Sequence, residues 1–376
     1  MTEFESLIWI DKPEAVGPLC DRVGVAHRVA LDTEADSFHS YFHKLCLIQL
    51  SFDGTHALID PLRLRREDLE PLVALIEDSS VELLMHGADY DMRVLDRDLG
   101  ANPKGLKDTE SAARLLGEAK TGLAALLAQE LGVIVEKKFQ RADWGRRPLS
   151  TEMQQYAVGD IAHLADLADR LASRLAGLGR IEWWREECRV IEQARYAPPK
   201  RGPLAFERVK GARKLKGASR DRFAALFAWR EDVAACADRP PFHILAPNTM
   251  IRLAEVPPAD CRQLGGVPGI PPAFAPLHGH AILELLAAPP PAPPRSDRRW
   301  NQPDPERQAR TEELHDAVVG VAEDLAIDPS VLAPRAVLTE VAKLAPRDEN
   351  ALEEILGRQW RTVVLADTLL PLVSAW

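Results

Sequence analysis

The 376-residue chain has no apolar run of ~18 residues, the length a membrane-spanning helix needs, so no span is expected. Its first residues, Met1-Thr2-Glu3-Phe4-Glu5, offer neither a basic leader nor an apolar stretch. That argues against a secretory signal and makes a cytoplasmic location the expectation. Cysteine is scarce. Cys20, Cys46, Cys188, Cys236 and Cys261 are odd in number, scattered, and never form a C-x-x-C pair. This excludes a disulfide frame or a thiolate zinc site and leaves reduced, mostly structural thiols. Positive charge is also short: 47 Lys and Arg against 57 Asp and Glu give a net charge of −10. The protein therefore does not coat nucleic acid by bulk electrostatics, and any such contact has to be local.

What is present is a globular composition, 46% hydrophobic and 28% charged. The length suits two or three domains. Residues 1–199 alternate strand-like and helix-like patterns, the signature of an α/β layer fold. Asp53-Gly54 between two apolar runs predicts a hairpin. A strand is expected at Val81–Met85, and helices at Leu69–Ile76, Tyr90–Leu99, Glu110–Leu116 and Leu123–Leu131. Ser150 reads as the N-cap of one long helix from Thr151 towards Leu178. Residues 200–288 begin with a basic stretch and continue with helical periodicity. A proline-rich linker follows at 289–304, where Pro289-Pro290-Pro291-Ala292-Pro293-Pro294 favours an extended spacer. Residues 305–376 read as helical again, as a diverged copy of the preceding small domain.

Acidic residues stand at three places where the apolar context makes them costly. Asp32 and Glu34 close the strand that begins Arg28-Val29-Ala30-Leu31, and their i,i+2 spacing turns both to one face. An aspartic-protease site is excluded, because that turn needs glycine where Glu34 stands. His86-Gly87-Ala88-Asp89-Tyr90-Asp91 follows the next strand. Of its two helix-borne acids, Asp91 shares the side of Val94 and Leu95, which must face the sheet. Tyr156 and Asp160 are i,i+4, with Leu164 and Leu167 continuing their stripe. Each group alone has an ordinary explanation: a solvated strand end, acids complementing a helix N-terminus, or a Tyr–Asp hydrogen bond. Together they offer four carboxylates from separate elements of one domain. Oxygen ligands without Cys or a His pair select hard cations such as Mg²⁺ or Mn²⁺. Two such ions ~3.5–4 Å apart can clamp the attacking and leaving oxygens of a phosphodiester displacement, which is nuclease chemistry.

Asp32-Thr33-Glu34, His86-x-Ala88-x-x-Asp91 and Tyr156-x-x-x-Asp160, in this order, resemble the three motifs of the DEDDy 3′→5′ exonucleases. Arg97-Asp98-Leu99-Gly100 and the run from Lys138 through Asp143-Trp144 to Arg147-Pro148-Leu149 extend the likeness, which is to the ribonuclease D branch of that family. The resemblance implies an α/β ribonuclease-H-like exonuclease domain, a mixed sheet flanked by helices, followed by one or two small all-α HRDC-type domains. It implies that Asp32, Glu34, Asp91 and Asp160 hold two divalent cations, Mg²⁺ or Mn²⁺. Tyr156, whose free phenol has a pKa of about 10, would orient the attacking water rather than act as a free base. The implied activity trims the 3′ ends of tRNA precursors and other structured RNAs, releasing nucleoside 5′-monophosphates, in a monomeric enzyme. Two alternatives stay open. The motifs do not read the 2′-hydroxyl, so the substrate could be DNA. The fold could also be an RNA-binding module without catalysis, although all four acids and the tyrosine are present.

An RNA contact has local candidates. Residues 200–222 carry nine Lys or Arg against Glu207 and Asp221. Within this block Arg208, Lys210, Arg213, Lys214 and Lys216 are expected to meet phosphates, though charge runs are also common as solvated linker faces. Thr33, His86, Lys138 and Arg147 are expected to contact nucleic acid beside the motifs. Trp229-Arg230-Glu231 and Arg239-Pro240-Pro241-Phe242 resemble the HRDC domain. The last segment, with Leu325–Leu332 and Gln359-Trp360, is a weaker copy in which Leu314-His315-Asp316 replaces the usual W-R. Packing against the nuclease domain is open to it as much as RNA binding. His278-Gly279-His280 reads as a surface turn rather than a metal site, and Trp183-Trp184 as core or domain interface.

Overall fold

A computed structural model describes residues 7–136, 138–198, 202–294 and 304–376. The Met1–Glu5 stretch, Lys200 and Arg201 lie outside the described residues. The sheet comprises β1 (Leu7–Ile10), β2 (Arg28–Ala35), β3 (Leu45–Phe52), β4 (Thr55–Ile59), β5 (Glu82–Met85) and β6 (Leu106–Asp108), in the order β1-β4-β3-β2-β5-β6. β3 runs antiparallel to β2 and β4, whereas β1–β4, β2–β5 and β5–β6 pair in parallel. The predicted hairpin forms. Asp53 and Gly54 take φ of 44° and 71°, the positive values such a turn requires, and Phe52 pairs with Thr55. The edge strands β1 and β6, four and three residues long, are too short for an alternation to show in sequence.

Helices cover this sheet: α1 (Pro13–Ala26), α2 (Glu70–Glu77), α3 (Asp89–Leu99), α4 (Thr109–Leu115), α5 (Leu123–Leu131), α6 (Thr151–Gly159), α7 (Leu164–Gly177) and α8 (Ile181–Ile191). Ser150 caps α6 as expected, accepting from the Met153 N–H at 3.3 Å. The single helix expected from Thr151 to Leu178 is instead two. α6 ends at Gly159, Asp160 is its C-cap, and α7 starts at Leu164. Glycine is a poor helix interior and aspartate favours helix ends, so the break falls where local propensity is weakest.

The chain divides into two compact units, and the division does not follow the sequence-derived boundaries. One unit contains α9 (Gly217–Cys236), α10 (Pro241–Ile244), α11 (Pro247–Glu255), α12 (Cys261–Gly265) and α13 (Phe274–Ala287), packed around Phe223, Leu226, Met250, Leu253 and Ile282. The β2–β3 connection, Asp36–Lys44, belongs to this unit. Asp238 holds it, accepting from the Tyr41 and Phe42 N–H groups at 3.1 and 2.9 Å. The expected turn at His278-Gly279-His280 is part of α13, where His278 packs edge-on to Trp229.

The other unit joins the sheet and its helices to α14 (Pro305–Leu325), α15 (Pro329–Leu332), α16 (Arg335–Leu344), α17 (Glu349–Leu356) and α18 (Gln359–Ser374). Residues 305–376, expected as a domain of their own, share one apolar core with the sheet layer: Leu314, Val318, Leu338 and Leu365 belong to the same cluster as Leu83, Leu95 and Leu171. Trp183 stacks on Trp360 with ring centroids 4.7 Å apart. Arg358 and Arg361 both pair with Glu187. Among the described residues no helix is long and apolar enough to cross a membrane.

Candidate active site

Asp32 and Glu34 project from β2 where it lies between β3 and β5, with Asp32 opposite Gln49 and Glu34 opposite Leu47. The pleat places both acids on one face, and the break between α6 and α7 brings Asp160 to them. One carboxylate oxygen each from Asp32, Glu34 and Asp160 lies within 4.8 Å of the other two. Asp91 is not part of that trio. It is buried in the first turn of α3, where Thr33, between the two strand acids, donates its hydroxyl proton to the Asp91 carboxylate. Asp89 turns to solvent and pairs with Arg93 at 2.9 Å, so the helical spacing separates the two acids as predicted. The Tyr156 hydroxyl donates to Asp160. Its ring is fixed by Trp144 and Phe139, at centroid distances of 6.1 and 5.8 Å.

The electrostatics of this cluster suit a cation. Among the described residues, no Arg or Lys is paired with Asp32, Glu34, Asp91 or Asp160. Burial, followed by the charges of Asp91, Glu34 and Asp160, pushes the Asp32 carboxyl well above the ordinary carboxylate range. Glu34 is pushed up to about 9 by burial and then by Asp160 and Asp91. Burial raises Asp160 to about 7 against the hydrogen bond from Tyr156, and Asp91 to about 6 against the one from Thr33. Four such groups cannot all ionise at neutral pH unless positive charge enters among them. An all-oxygen donor set fits a hard divalent cation.

The residues expected to touch nucleic acid have varied placements. Thr33 is buried and committed to Asp91. His86 is half-buried, with Nδ1 2.9 Å from the Thr109 hydroxyl. That hydroxyl donates to the Met85 carbonyl, so it accepts from Nδ1 and leaves Nε2 as the open acceptor. Lys138 is exposed, with its ammonium over the Phe139 ring. Arg147 is a scaffold residue: Nε and Nη2 bind Asp60 at 2.6 and 2.8 Å, and its other donors reach the carbonyls of Cys46, Trp144 and Arg146. Arg208, Lys210, Arg213, Lys214 and Lys216 are all exposed. In the same block Arg220 and Arg222 face inward, to Glu207 and to the carbonyls of Pro293, Leu286 and Ala254.

Asp108 escaped sequence reasoning. Fully buried at the end of β6, it caps α4 through the Ser111 N–H and also accepts from the Ala88 N–H at 2.9 Å. It thereby holds the His86–Ala88 turn, where Gly87 takes φ of 70° to redirect the chain from β5 into α3. An Asp at a strand-to-helix junction was the available signal.

Residues 7–176 match the family described as 3'-5' exonuclease, and residues 219–286 match the HRDC domain. Sheet, acidic cluster and family match together define a 3′→5′ exonuclease. Ribonuclease D of Acidiphilium cryptum is 33% identical over 291 residues, covering 76% of this chain and 72% of that protein. Ribonuclease D of Xanthomonas oryzae is 29% identical over 379 residues, 98% of both. Among solved structures, Escherichia coli RNase D superposes with a TM-score of 0.71 at 24% identity over 99% of each chain. The catalytic core of RRP6 from Trypanosoma brucei gives 0.69, also at 24%, over 76% of this chain and 80% of that one. At that identity both structures speak for the fold. The chain belongs to the ribonuclease D family and is a 3′→5′ exoribonuclease.

Proposed function

We propose that this enzyme trims the 3′ ends of structured RNAs, tRNA precursors among them, one nucleoside 5′-monophosphate at a time, by hydrolysis supported by two divalent cations. The observation that carries the reading is the trio of mutually close, half-buried carboxylates with the buried Asp91 beside it, none of them paired with a cationic side chain among the described residues. Asp32, Glu34, Asp91 and Asp160 would hold the ions. When bound, Mg²⁺ or Mn²⁺ supplies charge neutralisation at the scissile phosphate and polarisation of the water that attacks it.

The chain's own groups account for the remaining requirements. Burial and the neighbouring acids raise the Tyr156 phenol further above its already high pKa, so it stays protonated at neutral pH. Its role is orientation: it donates to Asp160 and presents its oxygen as an acceptor for water. Thr33 fixes Asp91, and Asp108 fixes the turn that leads into α3. The exposed cations from Arg208 to Lys216 supply phosphate contacts that do not depend on base sequence.

The test compares wild type with Asp160→Asn on matched RNA and DNA oligomers carrying a free or a blocked 3′ end. The variant is expected to lose hydrolysis of the terminal nucleotide while still binding RNA. Full activity of Asp160→Asn with Mn²⁺ would overturn the metal assignment, and cleavage of a 3′-blocked substrate would overturn the exonucleolytic direction.

A further inference from the structure

Gln49 lies in the middle of β3, and its side chain is completely buried. Neither its Nε2 nor its Oε1 has a hydrogen-bond partner. Buried carboxamides are almost always bonded, so a doubly orphaned one needs a reason. Its neighbours supply one. Gln49 is the direct cross-strand partner of Asp32 on one side and of Leu58 on the other. Directly opposed residues of an antiparallel pair share a face of the sheet, with Cβ atoms ~4.5–5.5 Å apart. The amide therefore stands on the carboxylate face, with Leu47 and Leu58 of the buried α6-side core beside it. A buried carboxamide without partners contributes less to the fold than an apolar side chain of its volume would.

Asp32 in turn has no side-chain donor among the described residues. A hydrogen bond from the backbone at Thr33 steadies its carboxylate. Asp91 has Thr33 and Asp160 has Tyr156, each a side-chain hydroxyl that fixes the carboxylate's rotation. Asp32 has the unbonded Gln49 carboxamide directly opposite it on its own face of the sheet.

We propose that Gln49 is the positioning residue of Asp32: its Nε2–H is the donor that fixes the rotation of the Asp32 carboxylate when the acids hold divalent cation. The inference rests on the metal-holding reading of the four acids. It assigns Gln49 no contact with substrate. Groups that orient metal ligands in this way typically change metal affinity by 10–100-fold when removed.

The test is Gln49→Met, which keeps the volume and removes the polar atoms. Mn²⁺ binding is followed by calorimetry, the melting temperature of the EDTA-treated protein is recorded, and 3′-terminal cleavage of an RNA oligomer is measured across a Mn²⁺ series. The expected result has opposite signs. The metal-free variant melts at a temperature equal to or above wild type, Mn²⁺ binds about tenfold more weakly, and saturating Mn²⁺ restores most of the cleavage rate. A residue with only a structural role would lower the melting temperature and leave affinity alone. Unchanged Mn²⁺ affinity in a folded variant overturns the inference, whereas failure of wild type itself to bind Mn²⁺ overturns the site reading beneath it. Should Gln49→Met not fold, exchange of glutamine side-chain amide protons in ¹⁵N-glutamine-labelled wild type decides the question. Protection of the Gln49 amide on adding Mg²⁺ supports the inference, and an unchanged amide overturns it.

Discussion

The hydroxyl of Thr33 donates to the carboxylate of Asp91, joining the strand that carries Asp32 and Glu34 to the helix that carries the fourth acid. The two residues are 58 positions apart in sequence. Thr33→Val keeps the shape and the β propensity but leaves a buried carboxylate without its side-chain donor, at a cost of about 1–3 kcal/mol. The same change raises the Asp91 pKa, because the bond from Thr33 is what holds it down against burial. Urea unfolding should show the loss. Cleavage should fall about tenfold, as for other groups that orient a metal ligand, with RNA affinity unchanged. Wild-type cleavage in a folded Thr33→Val would remove Asp91 from the working cluster.

The raised carboxyls also make stability depend on pH in a definite direction. A carboxyl whose folded pKa lies above its unfolded value binds more protons in the native state. It contributes stability below the unfolded value, near 4, and that contribution fades as pH rises through the folded one. Here the folded values fall at about 6 for Asp91, about 7 for Asp160 and about 9 for Glu34, with Asp32 also raised. The EDTA-treated protein should therefore lose stability steadily from weakly acid to alkaline pH. Divalent cation replaces the protons, so the rise in melting temperature on adding Mg²⁺ or Mn²⁺ should be small near pH 5.5 and largest near pH 8.5. A metal-induced shift independent of pH would show that cation binds elsewhere.

Arg147 makes a different kind of contribution from the one its position beside the third motif implied. Its guanidinium forks onto Asp60, which is fully buried, and ties the carbonyls of Trp144 and Arg146, in the loop that precedes α6, to that of Cys46 in β3. Arg147→Met strands a buried charge and should cost about 3–5 kcal/mol, the usual loss when one partner of a buried pair is removed. The double variant Asp60→Asn, Arg147→Met should recover part of it. A folded Arg147→Met that binds RNA more weakly at unchanged stability would restore the direct-contact reading.

These cases mark what could be read from the chain alone. The acids were visible because an anion next to an apolar strand or on a helix stripe is costly, and three such places in one domain converge on one chemistry. The positions of Thr33 and Arg147 were visible too, but their partners were not. Arg147 and Asp60 are 87 residues apart, and nothing local separates a guanidinium that binds phosphate from one that binds a buried carboxylate. The break at Asp160 was missed because the apolar stripe of Leu164 and Leu167 runs on past it and hides a weak point at Gly159. The place of residues 305–376 depended on which neighbour their apolar faces meet, which periodicity does not record.

That last segment supports a stability prediction. Trp360 is buried and stacked on Trp183 of α8, and its indole N–H donates to Glu187 at 2.9 Å. Removing a buried aromatic of this size costs about 3–5 kcal/mol. Because α14 to α18 share the core of the sheet layer, Trp360→Ala should lower the midpoint of the exonuclease unit's own unfolding, read by loss of protection of the β2–β3 amides. A tail that unfolds alone, leaving the sheet as resistant to trypsin and exchange as in wild type, would return residues 305–376 to the status of a separate domain.

The exposed basic block predicts how RNA binding responds to salt. The chain is net negative, so the attraction has to come from a local face, and Lys210, Lys214 and Lys216 are solvent-facing on it. Each phosphate contact on a single strand contributes about 0.7 to the slope of log affinity against log salt. Replacing the three lysines with glutamine should therefore flatten that slope by about 2 and weaken binding equally for RNAs of unrelated sequence. Cleavage of a short oligomer at saturating substrate should be unaffected, because the substitutions leave the carboxylate cluster intact. Filter binding over a salt series checks the slope, and single-turnover cleavage checks the chemistry. An unchanged slope would mean that the block is a solvated face, and that the phosphates are held by other cations.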